Sequence, residues 1–326
     1  MKEYVINVSP LETRIALLED NLLAELSVER QEQRSLVGNV YRGRIDSVIP
    51  GIQAAFVDIG LEKNGFLYVS DIAGAEGTGD FEFSEAVPTS RNRHAKKQNI
   101  DQMVKKGQDI MVQVRKDTLG TKGVRLTNFV TLAGRYVVLM PTITQLGVSR
   151  KIEDEAERDR LKRILRQFRK TKRYGLILRT AGEEQPKSEL ERDMTFLDRQ
   201  WERIKRRMAR KGNGMLLYED LNPILRTVRD SFTEDIDRLT IDDTDQYEQV
   251  LDFLDNFAPQ LKKNCKHYTA KQPIFDKFGV EDEITKALKR TVQLKSGGYI
   301  CIDQTEALIA IDVNTGRFTG KKNLED

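Results

Sequence analysis

Asp312 and Asn314 stand two apart in a strand-like run, Ile309-Ala310-Ile311-Asp312-Val313-Asn314, which closes on Thr315-Gly316. Side chains two apart in a strand share a face, so this carboxylate and this amide sit side by side. A carboxylate so placed suits a hard metal ion, which takes oxygen ligands and often uses only one or two carboxylates plus a substrate phosphate. The same residues also serve simply as an Asx-type turn closing a hairpin. A second chemistry-bearing pair, Arg179-Thr180, follows the apolar strand Leu176-Ile177-Leu178. A guanidinium is a fixed fork of donors that matches phosphate oxygens, and a neighbouring hydroxyl adds one more donor. The competing reading is a surface arginine capping a strand. A third set is Tyr41, Phe56, Phe66 and Tyr68, interleaved with Arg42, Arg44, Lys63 and Lys122. Aromatic faces stack on bases while cations follow a single-stranded backbone. Each aromatic taken alone equally fits core packing.

These residues need elements to hold them. The first thirty residues read as a meander, Tyr4–Val8, Thr13–Leu18 and Leu22–Val28, with Glu19-Asp20-Asn21 as the corner of its second hairpin. A lone meander cannot bury its own apolar face and needs partners from elsewhere in the chain. Residues 35–127 carry short, glycine-punctuated strands, which indicate a small β-barrel. Within it, Gly74–Ile100 has few apolar residues and no period, and reads as a long loop. From 128 to 214 a strand at Tyr136–Met140 precedes a charged helix between Asp154 and Lys170. A second helix follows Pro186, with Leu190, Met194, Leu197, Trp201, Ile204 and Met208 forming an apolar seam. Residues 215–287 alternate strands and helices and are grouped with the meander as one parent domain; 288–326 hold the Asp312 hairpin. The expected class is α+β multidomain.

Composition narrows the function without choosing it. The chain has 326 residues, 39% hydrophobic and 32% charged, and a net charge of +3. No apolar run is long enough to span a bilayer, and the mixed-charge N-terminus is not a signal peptide. Cys265 and Cys301 have no Cys-x-x-Cys partner, and His94 and His267 no ligand spacing, which argues against a metal knuckle. Both thiols are expected to be reduced core residues of a cytoplasmic protein. Charge is unevenly spread. Arg150–Arg173 has 11 basic and 5 acidic residues and Arg199–Lys211 has 7 and 1, whereas Glu219–Asp255 has 3 and 12. Basic stripes of this kind either neutralise phosphates or are solvated helix faces.

The string from Lys295 to Arg317, with Asp303-Gln304-Thr305-Glu306-Ala307 and Asp312-Val313-Asn314-Thr315-Gly316, resembles the catalytic region of the bacterial ribonuclease E/G family, nearer its G branch. The resemblance extends over the whole chain. It implies a single-strand-specific, magnesium-dependent endoribonuclease that matures ribosomal RNA, starts messenger RNA decay and favours 5′-monophosphorylated RNA. Asp312 would be the Mg2+ ligand and catalytic residue, with Asn314 orienting it. Apart from the resemblance, Arg317 and Lys321 suit the screening of substrate phosphates, but the stronger reading of both is a solvated surface cation. Arg179 and Thr180 would form a 5′-phosphate sensor with Arg150, and Gly134 and Val138 would flank the terminal nucleotide. The barrel would be an OB-fold like that repeated in the largest protein of the small ribosomal subunit, with Phe56, Phe66 and Lys122, together with Arg42 and Arg44, facing RNA. The parent domain, 1–34 with 215–287, would be ribonuclease H-like, interrupted by the barrel (35–127) and the sensor (128–214). Residues 288–326 would begin a deoxyribonuclease I-like nuclease subdomain. Expected partners are single-stranded RNA and ribosomal RNA precursors, with a homo-oligomer in the full-length protein. The family's second metal-binding Asp and its zinc-binding Cys-x-x-Cys subunit link would lie beyond residue 326, so the chain is read as an N-terminal fragment. The alternative is a non-catalytic RNA-binding fragment.

Overall fold

The computed structural model describes residues 1–72, 99–117, 123–169, 174–210, 214–294 and 297–316. Most of the Gly74–Ile100 segment, His94, Lys122, Arg317 and Lys321 lie outside the described residues.

The chain opens with the meander β1 (Lys2–Val8), β2 (Glu12–Glu19) and β3 (Leu22–Arg30). Asp20 and Asn21 both take positive φ, 50° and 63°, in the β2–β3 corner. Two left-handed residues match the twist of a tight hairpin, and Asp and Asn tolerate that region best. The barrel follows: β4 (Val40–Ile49), β5 (Ala54–Asp58), β6 (Gly65–Tyr68), the helical turn α1 (Ile100–Met103), β7 (Asp109–Lys116) and β8 (Arg125–Thr127). Neighbours run β4-β5-β6-β8-β7, and β7 pairs back onto β4, closing a five-stranded barrel. Strand β4 does this by pairing with β7 through Val40–Arg44 and with β5 from Arg44 to Ile49, across a register shift between Ile45 and Ser47. Tyr41, Ile45, Val57, Leu67, Ile110, Val112 and Leu126 fill the interior. Tyr41 is therefore a core residue, and the packing reading holds for it.

Next come β9 (Leu132–Ala133), β10 (Val137–Met140), β11 (Leu146–Val148), α2 (Glu155–Arg169), β12 (Gly175–Leu178) and α3 (Lys187–Met208). The four strands form a sheet in the order β11-β12-β10-β9. Leu190, Met194, Leu197, Trp201 and Ile204 of α3 are buried in one core with Val137, Leu139, Leu176 and Leu178 of this sheet and Leu161, Ile164 and Leu165 of α2. The expected apolar seam is thus the packing face of α3. Strand β13 (Met215–Tyr218) then pairs antiparallel with β4, from Met215–Arg42 to Tyr218–Val40. This corrects the grouping of β13 with the N-terminal meander, because its partner is a barrel strand. Helix α4 (Pro223–Ser231) closes this region.

The remaining elements are β14 (Arg238–Ile241), α5 (Thr244–Phe257), β15 (Cys265–His267), α6 (Ile274–Lys277), α7 (Val280–Ala287), β16 (Thr291–Gln293), β17 (Tyr299–Gln304) and β18 (Ile309–Asn314). Strand β14 lies parallel to both β1 and β15, giving a five-stranded sheet β15-β14-β1-β2-β3. Val5, Ala16 and Leu18 of this sheet pack with Ile274, Phe275 and Val280. Strands β16, β17 and β18 form a separate antiparallel sheet. The chain divides into two compact units: the described residues of Met1–Glu32, Phe232–Leu251 and from Gln260 on, and those of Gln33–Ser231 with Asp252–Pro259. The whole is a mixed α+β fold containing a closed five-stranded barrel. No described helix is long and apolar enough to cross a membrane.

Candidate functional site

Three clusters carry chemistry. The first is on the β17–β18 hairpin. Asp312 pairs across the strands with Cys301, and Asn314 with Tyr299. Alternation then divides the hairpin into a polar face with Tyr299, Cys301, Asp303, Asp312 and Asn314, and an apolar face with Ile300, Ile302, Ile309, Ile311 and Val313. Asn314 Nδ2 donates to Asp312 Oδ2 at 2.8 Å, which fixes the carboxylate's orientation. A second carboxylate, Asp303, shares this face, but Arg290 engages both its oxygens, at 2.5 and 2.9 Å. That fork holds the Asp303 carboxyl below its ordinary value and makes it a poor metal ligand. The hydrogen-bond partner of Asp312 is the neutral amide of Asn314. Among the described residues no three His, Cys, Asp or Glu side chains are grouped to hold a metal. The donor set therefore fits a hard ion held through one carboxylate, with other oxygens from elsewhere. Cys301 is half-buried beside Asp312, not a core thiol as expected from the sequence; Cys265 is buried. Cys301 and Asp312 are cross-strand partners on neighbouring strands, and the opposite face carries the exposed Ile309, Ile311 and Val313.

The second cluster lies on the barrel. Phe56 of β5 and Phe66 of β6 are direct cross-strand partners, their rings edge-to-face at 5.4 Å. Tyr68, two residues along β6, extends the row at 4.3 Å from Phe66. These rings line a groove of about 860 Å³ together with Lys63, Lys116 and Arg125. Arg125 lies 5.0 Å over the Tyr68 ring. Asp71, only 2% exposed, anchors Arg125 at 2.9 Å and Arg115 at 2.8 Å. Arg42 is placed elsewhere. Its guanidinium bonds Asp109 at 2.6 Å and the carbonyls of Met208 and Arg210, tying β4 to the end of α3. Arg44 is exposed. Tyr68 belongs to the aromatic set read from the sequence, whereas Lys116 and Arg125 are groove residues that sequence reasoning did not select.

The third cluster sits where the parallel strands β11 and β12 end, after Val148 and Leu178. Loops leaving the carboxyl ends of adjacent parallel strands converge, a common location for ligand sites. Ser149-Arg150 and Arg179-Thr180 are therefore brought together, and the Ser149 and Thr180 hydroxyls bond at 2.9 Å. Arg158 of α2 donates to the carbonyls of Ser149 at 2.6 Å and Ile152 at 2.8 Å, clamping the loop that carries the exposed Arg150. Arg179 Nη1 donates to Gly134 O at 2.9 Å and to Asp230 Oδ1 at 2.6 Å. Arg229 in turn grips both Asp230 oxygens, at 2.9 and 2.8 Å. Burial opposes ionisation of Asp230, but the two guanidinium groups prevail and hold its carboxyl below the ordinary value.

Asp193 supports the opposite wall. Its carboxylate, 3% exposed, accepts the backbone N–H groups of Arg135 at 3.2 Å, Tyr136 at 2.8 Å and Val137 at 2.9 Å. Burial raises its pKa, and the three amides pull against that rise. A Cβ on Gly134 would collide with the same carboxylate, so glycine is required at that turn. Val138 is a buried strand residue, paired with Ile177 and Ala133. Asp193, Asp230, Arg229 and Arg158 carry no local motif, so only the fold reveals them.

A ribonuclease E/G family description matches residues 131–326, more than half of the sequence. The chain belongs to the ribonuclease E/G family. It is 44% identical to ribonuclease G of Escherichia coli (strain K12) over 324 residues, covering 99% of this chain and 64% of that protein. Ribonuclease G of Haemophilus influenzae is 43% identical over 324 residues, with the same coverages. Ribonuclease E of Escherichia coli (strain K12) is 35% identical over 329 residues, 100% of this chain and 30% of that protein. The chain thus spans just under two thirds of the length of the ribonuclease G relatives it matches.

Proposed function

We propose that this chain supplies the RNA-binding and 5′-end-sensing part of a magnesium-dependent endoribonuclease, together with one residue of its metal site. The substrate is single-stranded RNA, including ribosomal RNA precursors and messenger RNA entering decay, and 5′-monophosphorylated ends are preferred. The observation that carries this reading is the Asn314–Asp312 hydrogen bond on the polar face of β18. It presents an oriented carboxylate to the substrate side of the hairpin and leaves Asp303 to Arg290.

Phosphodiester hydrolysis needs an attacking water made more acidic and negative charge at phosphorus neutralised, which a bound Mg2+ supplies. Asp312 would hold that ion and Asn314 would keep the carboxylate from rotating. Phe56, Phe66 and Tyr68 stack on bases, a sequence-tolerant grip, while Lys116 and Arg125 meet the backbone. Arg179, Thr180 and Arg150 receive the terminal phosphate. The relatives' names, ribonuclease G and ribonuclease E, support the class of reaction. In this reading the β15-β14-β1-β2-β3 sheet is the ribonuclease H-like parent, the barrel is an OB-fold, and β16–β18 begin the nuclease subdomain. The full-length protein is a cytoplasmic homo-oligomer with a zinc link outside this sequence.

The deciding experiment compares RNA cleavage by the full-length protein and its Asp312→Asn variant with magnesium present. Loss of cleavage with RNA affinity kept within a few-fold supports the assignment; equal loss of binding overturns it. A second reading has its own observation: no three metal-ligating side chains are grouped among the described residues. On that reading the chain by itself is a non-catalytic RNA-binding fragment, and it binds the same substrates without cutting them.

A further inference from the structure

Helix α3 has a second face that the sensor does not use. Its apolar seam is Leu190, Met194, Leu197, Trp201, Ile204 and Met208. Two residues after five of these six positions stands an arginine: Arg192, Arg199, Arg203, Arg206 and Arg210. A step of two residues turns an α-helix by roughly 200°, so the arginines form one line on the side opposite the core. All five are exposed. From Arg192 to Arg206 the line runs about 21 Å at 1.5 Å per residue, and Arg210 follows just beyond the helix end at Met208.

This is not an ordinary solvated face. Helix α2 alternates its charges and pairs them locally, Arg160 with Glu157 at 2.5 Å and Lys162 with Asp159 at 3.3 Å. The start of α3 does the same, Arg192 with Glu189 at 3.0 Å and Lys187 with Glu191 at 3.4 Å. Arg199, Arg203 and Arg206 break the pattern and form no ion pair with a carboxylate among the described residues. Cations three and four apart on one helix face repel, costing some tenths of a kcal/mol per pair. The helix dipole welcomes cations only in the last turn, which leaves Arg199 and Arg203 without that compensation. An anion laid along the face removes the repulsion.

The ends of the line identify the anion. Near its start, Asp193 holds the turn at Gly134–Val137 that forms one wall of the sensor. At its finish, the carbonyls of Met208 and Arg210 are bound by Arg42 of barrel strand β4. The line therefore runs from the sensor to the barrel wall. Arg199, Arg203 and Arg206, spaced about 4.5–6 Å along the axis, offer planar forks on the scale at which phosphates succeed one another in a strand. An acidic protein segment would need no such continuity with two RNA sites. We propose that the outer face of α3 is a phosphate track that carries the backbone of single-stranded RNA between the 5′-end pocket and the barrel. The proposal rests on the RNA-binding reading above.

The test is a triple variant, Arg199→Gln, Arg203→Gln and Arg206→Gln, measured for RNA affinity across a salt series. Two strands are used: one of about six nucleotides, within the span a single barrel covers, and one of roughly 20. Each phosphate neutralised contributes about 0.7 to the log–log salt slope for single strands, so the long strand's slope falls by about 2. The short strand and the 5′-monophosphate to 5′-hydroxyl affinity ratio stay unchanged. The matching Arg→Lys triple variant, which keeps the charge, restores most of the slope. An unchanged slope on the long strand overturns the track. So does polyglutamate binding to this face more tightly than the long RNA, which would assign the face to an acidic protein. Failure of the barrel or the sensor is read separately, as no short-strand affinity or no monophosphate preference in the unmodified chain.

Discussion

Asp230 Oδ1 lies 2.6 Å from Arg179 Nη1, while Arg229 grips the same carboxylate through two nitrogens. The Arg179 guanidinium thus stands on a fixed carboxylate, with its second anchor at the carbonyl of Gly134. A donor fork held in place before the ligand arrives loses less freedom on binding, and its geometry selects among ligands.

Arg179→Ala is expected to abolish discrimination between 5′-monophosphate and 5′-hydroxyl RNA. A charge-assisted hydrogen bond contributes about 1.5–3 kcal/mol, so the preference lost is of the order of 10- to 100-fold. Paired titrations of the two RNAs read it directly. An unaltered ratio would remove Arg179 from the sensor.

Asp230→Asn keeps the shape of the side chain but removes the charge that holds Arg179. Discrimination should weaken by about tenfold, which is 1.4 kcal/mol, while affinity for 5′-hydroxyl RNA is unchanged. Asp230→Ala should also destabilise the fold by about 3 kcal/mol, because Arg229, 7% exposed, is left without its partner. Urea unfolding measures the second effect independently of RNA.

The Asp230 pair also sets a pH dependence. Its carboxyl is held below the ordinary value of 3.8, so the folded state binds this proton less readily than the unfolded chain. The stabilisation is present above that ordinary value and is lost as pH falls through the lower, folded-state value. Thermal unfolding from pH 6 downward should show a steeper acid loss in the unmodified protein than in Asp230→Asn.

Asp193→Ala should be among the most damaging single changes in this unit. Three buried N–H groups would lose their acceptor, at about 1–3 kcal/mol each where no water replaces it. Gly134→Ala should act similarly, because the new Cβ meets that carboxylate. Both variants should lower the unfolding midpoint; if neither does, the turn is not held as described.

Phe56→Ala and Phe66→Ala should each weaken single-stranded RNA binding by about 1–3 kcal/mol, the usual value of one stacked base. Tyr68→Ala should fall in the same range, since its ring continues their row. Binding of a short single strand checks all three.

Local features were legible in the sequence where local physics decides them. The α3 seam announced its core face because its period is helical, and Asp20-Asn21 announced their turn because both accept positive φ. The pairing of Asp312 with Asn314 followed from strand alternation alone. Long-range choices were hidden. The pairing of β13 with β4 depends on a register no local pattern encodes. Asp193, Asp230 and Arg229 act across 51 to 96 positions of chain, and nothing near them in sequence marks their role. The partners of Arg42 were hidden for the same reason: they include the carbonyls at the end of a helix more than 160 residues away. The strands β11 and β16 are three residues long, too short to show a period.

Asp312, oriented by Asn314, is proposed as the metal-binding carboxylate of an endoribonuclease. The measurement that tests it is cleavage of a 5′-monophosphorylated single strand by the full-length protein across a magnesium series, for the unmodified enzyme, Asp312→Asn and Asn314→Ala. Asp312→Asn should show no cleavage at any magnesium concentration, with RNA affinity within a few-fold. Asn314→Ala should regain part of its rate as magnesium rises. Cleavage by Asp312→Asn at the unmodified rate would contradict the assignment.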